Sequence, residues 1–174
     1  MAASNLNDLF YDTLRDVLWA ERHLTKALRK MAKNASQPEL AEAFEKHRAE
    51  TEGHVERLER VFEMIDKSPR AKTCEAMVGL SAEGDHVMEE AEVGPTRDVG
   101  LIGAAQAVEH YEIARYGTLV SWARLLGLDE AASLLAETLE EEKATDDLLT
   151  ALSGNINPEA QSAANDQRPQ RKRA

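Results

Sequence analysis

Residues 10–31 read FYDTLRDVLWAERHLTKALRKM, and Phe10, Leu14, Val17, Leu24, Leu28 and Met31 share one row of it. Steps of three and four residues put such a row on one face of an α-helix. The slot between Val17 and Leu24 is filled by Glu21. An unpaired ionised carboxylate in an apolar interior costs several kcal/mol, so a glutamate there must be protonated, paired or bound to a metal. Arg15, Arg22 and Lys26 are close in sequence, but their helical positions point away from this seam.

The same substitution recurs along the chain. Leu101, Ala105, Val108, Leu119, Trp122 and Leu126 form a second apolar row interrupted by Glu112, with Glu109 one turn earlier. Leu40, Phe44, His47, Thr51, His54 and Leu58 form a third. At about 100° per residue His47 and His54 differ by only about 20°, with Glu50 about 60° to one side. Glu50 and His54 are read as ligands, and His47 as either a ligand or a core histidine bonding to a neighbouring helix. A fourth stretch has two competing rows: Leu134, Thr138, Glu141, Leu148, and Leu135, Thr138, Glu142, Thr145, Leu149. Glu141 is the preferred inward carboxylate, with Glu142 and Asp146 in reserve.

Between these rows the breakers give an order. A first helix is expected from Leu6 to Lys33. Ser36-Gln-Pro-Glu39 has the spacing of a capping box with proline in the first turn, opening a second helix from Gln37 to Asp66. Lys67 to Arg97 is a crossover with short helical patterns at Thr73–Leu80 and Ala82–Ala91, ending at Gly94-Pro95. A third long helix follows from Arg97 to Leu126, with Gly127 as a left-handed cap. A fourth runs from Glu130 to Leu152, with Asp129 as its cap and Gly154 as its terminator. Hairpin, long crossover, hairpin is the ferritin-like connection, whereas up-down-up-down bundles have short loops throughout. The expected fold is all-α: a ferritin-like four-helix bundle over residues 1–154, with a short fifth helix in the crossover. Residues 155–174 read as a disordered polar tail ending in the basic run Arg168–Arg173.

Composition narrows the function. The net charge of −11 argues against nucleic-acid binding, which needs a basic surface, and suits a protein that attracts cations. Cys74 is the single cysteine, so neither an intrachain disulfide nor a thiolate metal cluster is expected. With no signal-like N-terminus and no long apolar run, the expected setting is cytoplasmic, with no membrane partner. Phosphate loops, HExxH and nucleophile elbows are absent from the sequence. The candidate metal residues are Glu21, Glu50, His54, Glu109, Glu112 and Glu141. Mixed imidazole and carboxylate suit iron or manganese, as one or two ions. Tyr111 and Tyr116 are mainly packing candidates, although a tyrosine beside such a site can also bond to a ligand carboxylate. His110 lies on another face and reads as a helix-contact residue.

Five stretches, DLFYDTLRDVLWAERHLTKAL, HRAETEGHVERLERVFE, KTCEAMVGL, AQAVEHYEIARYGTL and ETLEEEKATD, resemble the YciE/YciF family of bacterial ferritin-like proteins. The resemblance covers nearly the whole chain apart from the tail. It implies a ferritin-like bundle with a short fifth helix, often a homodimer, linked to stress responses. The family's activity is poorly defined; the expected activity, oxidation of iron or consumption of oxygen or peroxide at a di-metal site, comes from the inward residues Glu21, Glu50, His54, Glu109, Glu112 and Glu141. A non-catalytic dimerising scaffold with a metal-free carboxylate network is the alternative. The chain departs from better characterised di-iron relatives in two helices. Gly53 stands three after Glu50, with His54 one place later, and Ala144 stands three after Glu141 with no histidine nearby.

Overall fold

The fold, taken from a computed structural model that describes residues 4–166, has five helices and no strand among the described residues. They are α1 (Leu6–Asn34), α2 (Pro38–Met64), α3 (Glu75–Glu90), α4 (Pro95–Leu125) and α5 (Asp129–Asp166). The pair α1–α2 and the pair α4–α5 are antiparallel hairpins that face each other through α1 against α4 and α2 against α5. Across the outside, α3 lies against α4 and α1. This is the expected ferritin-like bundle, and the two short patterns of the crossover form a single helix. No described helix is long and apolar enough to cross a membrane.

Helix ends follow local chemistry. Asn5 caps α1 by accepting from the Asp8 N–H at 2.9 Å. Gly127, at φ 73°, ends α4 in a Schellman turn: its N–H reaches Arg124 O, and the Leu128 N–H reaches Ala123 O. Asp66, at φ 53°, takes the same role after α2, with Lys67 N–H bonded to Phe62 O. The capping box expected at Ser36–Glu39 does not form. Buried Asp98 of α4 accepts instead from the Ser36 N–H, the Ser36 hydroxyl and the Gln37 N–H, so the start of α2 is capped from the other hairpin.

Two further expectations fail at α5. Gly154 does not end it, and residues 155–166 are helical rather than disordered. Ile156 explains the continuation, since it is buried in the same apolar cluster as Leu28, Leu40 and Leu101, while the Gln37 side chain donates to Glu159 at 2.7 Å. The basic run Arg168–Arg173 lies outside the described residues.

The interior is layered. One apolar cluster contains Leu24, Leu28, Leu40, Phe44, Met77 and Leu101; the other contains Phe10, Leu14, Leu58, Phe62, Leu119 and Leu135. Between them each long helix contributes polar residues that are almost inaccessible: Glu21, then His47, Thr51 and His54, then Glu109 and Glu112, then Thr138, Glu142 and Thr145. Burial of the flanking apolar layers drives the bundle together and thereby carries this band inside.

Candidate metal centre

Four glutamates and two histidines converge in the polar layer. Ligand atoms of His47, Glu109, Glu112 and Glu142 lie within 4.8 Å of one another, as do those of Glu21, His54 and Glu142. Glu142 belongs to both groups. All six side chains are buried, Glu21, His54 and Glu142 completely.

Their hydrogen bonding is incomplete. Glu21 Oε2, His47 Nε2, His54 Nδ1, Glu109 Oε2 and both oxygens of Glu112 and Glu142 have no hydrogen-bond partner. His47 Nε2 stands 3.2 Å from Glu109, and His54 Nδ1 stands 3.1 Å from Glu142, so the ring nitrogens face the carboxylates without the alignment of a hydrogen bond. Buried polar atoms are nearly always satisfied, and a cluster of exceptions asks for an ion or protons. Convergent carboxylate oxygens and imidazole nitrogens are the donors that metal ions take, so these residues could hold a metal ion.

The electrostatics of the metal-free layer agree. Burial, reinforced by Glu21, Glu142 and Glu109, pushes the Glu112 carboxyl well above the usual carboxylate range. Burial likewise raises Glu142, to about 7, although His54 partly opposes the shift. Burial alone would lower His54, but Glu21 and Glu142 outweigh it and hold the imidazole at about 10. His47 is raised for the same reason, chiefly by Glu109. The layer thus keeps protons that a metal would displace.

Both imidazoles have an outward nitrogen with a different environment. His54 Nε2 is 2.9 Å from Glu141 Oε2, and Arg57 clasps both Glu141 oxygens at 2.7 Å. His47 Nδ1 lies 3.2 Å from Thr145 Oγ1 and 3.7 Å from Glu50, which also pairs with Lys46 at 2.9 Å. Tyr116, wholly buried, donates to Glu21 Oε1. Tyr111 is engaged elsewhere, donating to Asp16 at 3.0 Å with Cys74 Sγ 2.9 Å away. His110 is exposed, with Nε2 3.6 Å from Asp146.

Of the six residues read from the sequence, Glu21, His54, Glu109 and Glu112 enter the two groups, whereas Glu50 and Glu141 do not. Both of the latter stand at the rim, partly solvated and cation-paired; Arg57 and His54 outweigh burial to lower Glu141, and His47 leads in lowering Glu50 to about 2. His47 and Glu142 take their places. The signal for Glu142 lay in register. Leu135, Thr138, Glu142, Thr145 and Leu149 are all buried, while Leu148 of the competing row is exposed. A similar cue existed for His47, which shares a row with Leu40, Phe44 and Leu58 that the offset Glu50 leaves.

The sequence profile described as "Domain of unknown function (DUF892)" matches residues 5–162. Protein YciF of Escherichia coli (strain K12) is 47% identical over 167 residues, covering 94% of this chain and 100% of that protein. The crystal structure of that E. coli protein, described as a stress protein, matches with TM-score 0.87 at 46% identity, covering 90% of this chain and 99% of that one. YcfI from Rhodopseudomonas palustris matches with TM-score 0.82 at 40% identity, over 84% of this chain and 94% of that one. The chain therefore belongs to the DUF892 family, the family of YciF.

Proposed function

We propose that the polar layer binds two divalent transition-metal ions, iron or manganese, and that the protein uses them in a stress response, oxidising ferrous iron or consuming dioxygen or peroxide. What carries the reading is the set of buried donor atoms without partners, drawn from all four long helices and falling into two groups that share Glu142. A metal-free network would pair these oxygens through shared protons, and Glu112 and Glu142 have no such partners. The stress role is carried over from the E. coli relative, which is described as a stress protein. A cytoplasmic homodimer is the form proposed for the active protein.

Charge supports two ions. Glu21, Glu109, Glu112 and Glu142 together offer four negative charges, which balance two divalent cations, while neutral His47 and His54 add nitrogen donors. Bound iron or manganese would supply the electron-transfer chemistry that these side chains do not. The protein's own part is to hold donors and exclude water. Tyr116 fixes Glu21 by one oxygen and leaves Oε2 turned toward His54 at 3.5 Å. The apolar layers on either side keep the site dry, which strengthens each charge interaction within it.

Metal analysis after anaerobic reconstitution with Fe(II) or Mn(II) tests the reading. About two ions per chain are expected, with both positions weakened by Glu142→Ala. No binding to folded wild-type protein would overturn it.

A further inference from the structure

Glu141 is half-exposed and outside both donor groups, yet it touches His54 directly. Its carboxylate is not free to wander. Arg57 donates from Nη1 to Oε2 and from Nη2 to Oε1, both at 2.7 Å, and Arg57 Nη1 is also 3.1 Å from Thr138 Oγ1. A planar fork-to-carboxylate pair of this kind fixes orientation as well as distance. Oε2 of the clamped carboxylate then meets His54 Nε2 at 2.9 Å. The opposite ring nitrogen, Nδ1, faces Glu142 Oε1 at 3.1 Å and Glu21 Oε2 at 3.5 Å.

We propose that Glu141, clamped by Arg57, is a positioning residue that orients the His54 ring and assigns its nitrogens, holding Nε2–H outward so that Nδ1 is the donor offered to the centre. A carboxylate accepts only, so the nitrogen it faces must carry the hydrogen. Without metal Nδ1 is protonated as well, facing Glu142 and Glu21; a metal ion displaces that proton, Nε2–H stays with Glu141, and the lone pair is left on Nδ1. Buried histidine ligands depend on an outer acceptor of this type, and its loss costs roughly 10- to 100-fold in metal affinity. The other histidine is held less firmly, since His47 Nδ1 faces a neutral hydroxyl at 3.2 Å and Glu50 only at 3.7 Å. The two imidazoles should therefore respond unequally when their outer partners are removed.

The binding arm rests on the two-metal reading, while a structural arm does not. Mn(II) titration is expected to show roughly 10- to 100-fold weaker binding in Glu141→Ala, a smaller loss in Glu50→Ala, and none beyond twofold in Glu140→Ala, which removes a neighbouring exposed charge from the same helix. Arg57→Lys keeps the charge but not the fork and is expected to fall between wild type and Glu141→Ala. In Zn(II)-loaded wild type, nitrogen-15 spectra should give His54 a protonated Nε2 and a metal-bound Nδ1. Separately, metal-free crystals of Glu141→Ala should show the His54 ring turned from its wild-type orientation. A folded Glu141→Ala protein that binds Mn(II) like wild type, or a metal-bound Nε2, would overturn the proposal. If wild type binds no metal, the two-metal reading has failed and the crystals decide alone: a turned ring sustains the positioning role, and an unmoved ring refutes it.

Discussion

Replacing Glu112 by methionine should stabilise the metal-free protein and weaken its response to metal. Both Glu112 oxygens are buried without a hydrogen-bond partner, and burial among Glu21, Glu142 and Glu109 forces the carboxyl toward its neutral form. A buried polar group left unsatisfied costs about 1–3 kcal/mol, and an unbranched side chain of similar length removes that cost with little change in packing. A gain on the order of 2 kcal/mol corresponds to a rise in Tm of roughly 4–8 °C for a domain of this size. Metal acts in the opposite sense. At one hundred times its Kd, an ion that binds only the folded state adds about 2.7 kcal/mol per site, roughly 5–11 °C. Thermal unfolding followed by circular dichroism, with chelator and with excess Mn(II), separates the two effects. Glu112→Met should melt higher than wild type in chelator and gain much less on adding Mn(II). A variant that melts lower without metal would mean that Glu112 supports the scaffold through its own bonds. A variant that keeps the full metal increment would mean that Glu112 is not a ligand.

Stability of the metal-free protein should fall as pH rises from about 6 to about 9. The folded pKa of His54 is raised to about 10, so its contribution is complete below the ordinary histidine range and fades on the way to that value. Glu142 is raised to about 7, so folding favours its neutral form and loses that support from the usual carboxylate range up to neutrality. Denaturant midpoints in chelator check this, and Mn(II) affinity should climb over the same interval because binding releases protons. Gly100→Ala should destabilise by about 1–3 kcal/mol, since a Cβ there would lie 2.6 Å from Val87 Cγ1 across the α3–α4 contact; adding Val87→Ala should restore much of the loss in denaturant melts. Asp98→Ala should cost about 2–3 kcal/mol, because it strips a charged acceptor from the Ser36 and Gln37 donors at the start of α2. Hydrogen exchange should then show the first turn of α2 opening ahead of the rest.

The bundle was legible because its determinants are periodic. Apolar rows at helical spacing, Gly127 beyond α4 and the long stretch between hairpins all report on local or pairwise geometry. What eluded the sequence depended on contacts between distant segments. Asp98 lies 62 residues from Ser36, whose cap it supplies. The run of α5 past Gly154 rests on Ile156 reaching a cluster built mainly from α1 and α4. In the polar layer, Glu21 and Glu112 were readable as interruptions of clean apolar rows, and Glu109 as the carboxylate one turn before Glu112. Glu50 and Glu141 were harder, because each sits about one residue off the true seam. Glu50 is paired within its own helix by Lys46, four residues earlier, and only the facing helix reveals that Arg57 holds Glu141 at the rim.

Anomalous diffraction from crystals soaked in Mn(II) tests the central claim most directly. Two peaks are expected, one among His47, Glu109, Glu112 and Glu142 and the other among Glu21, His54 and Glu142, with Glu142 touching both. An empty polar layer, or ions coordinated by Glu50 and Glu141 at its rim, would contradict it.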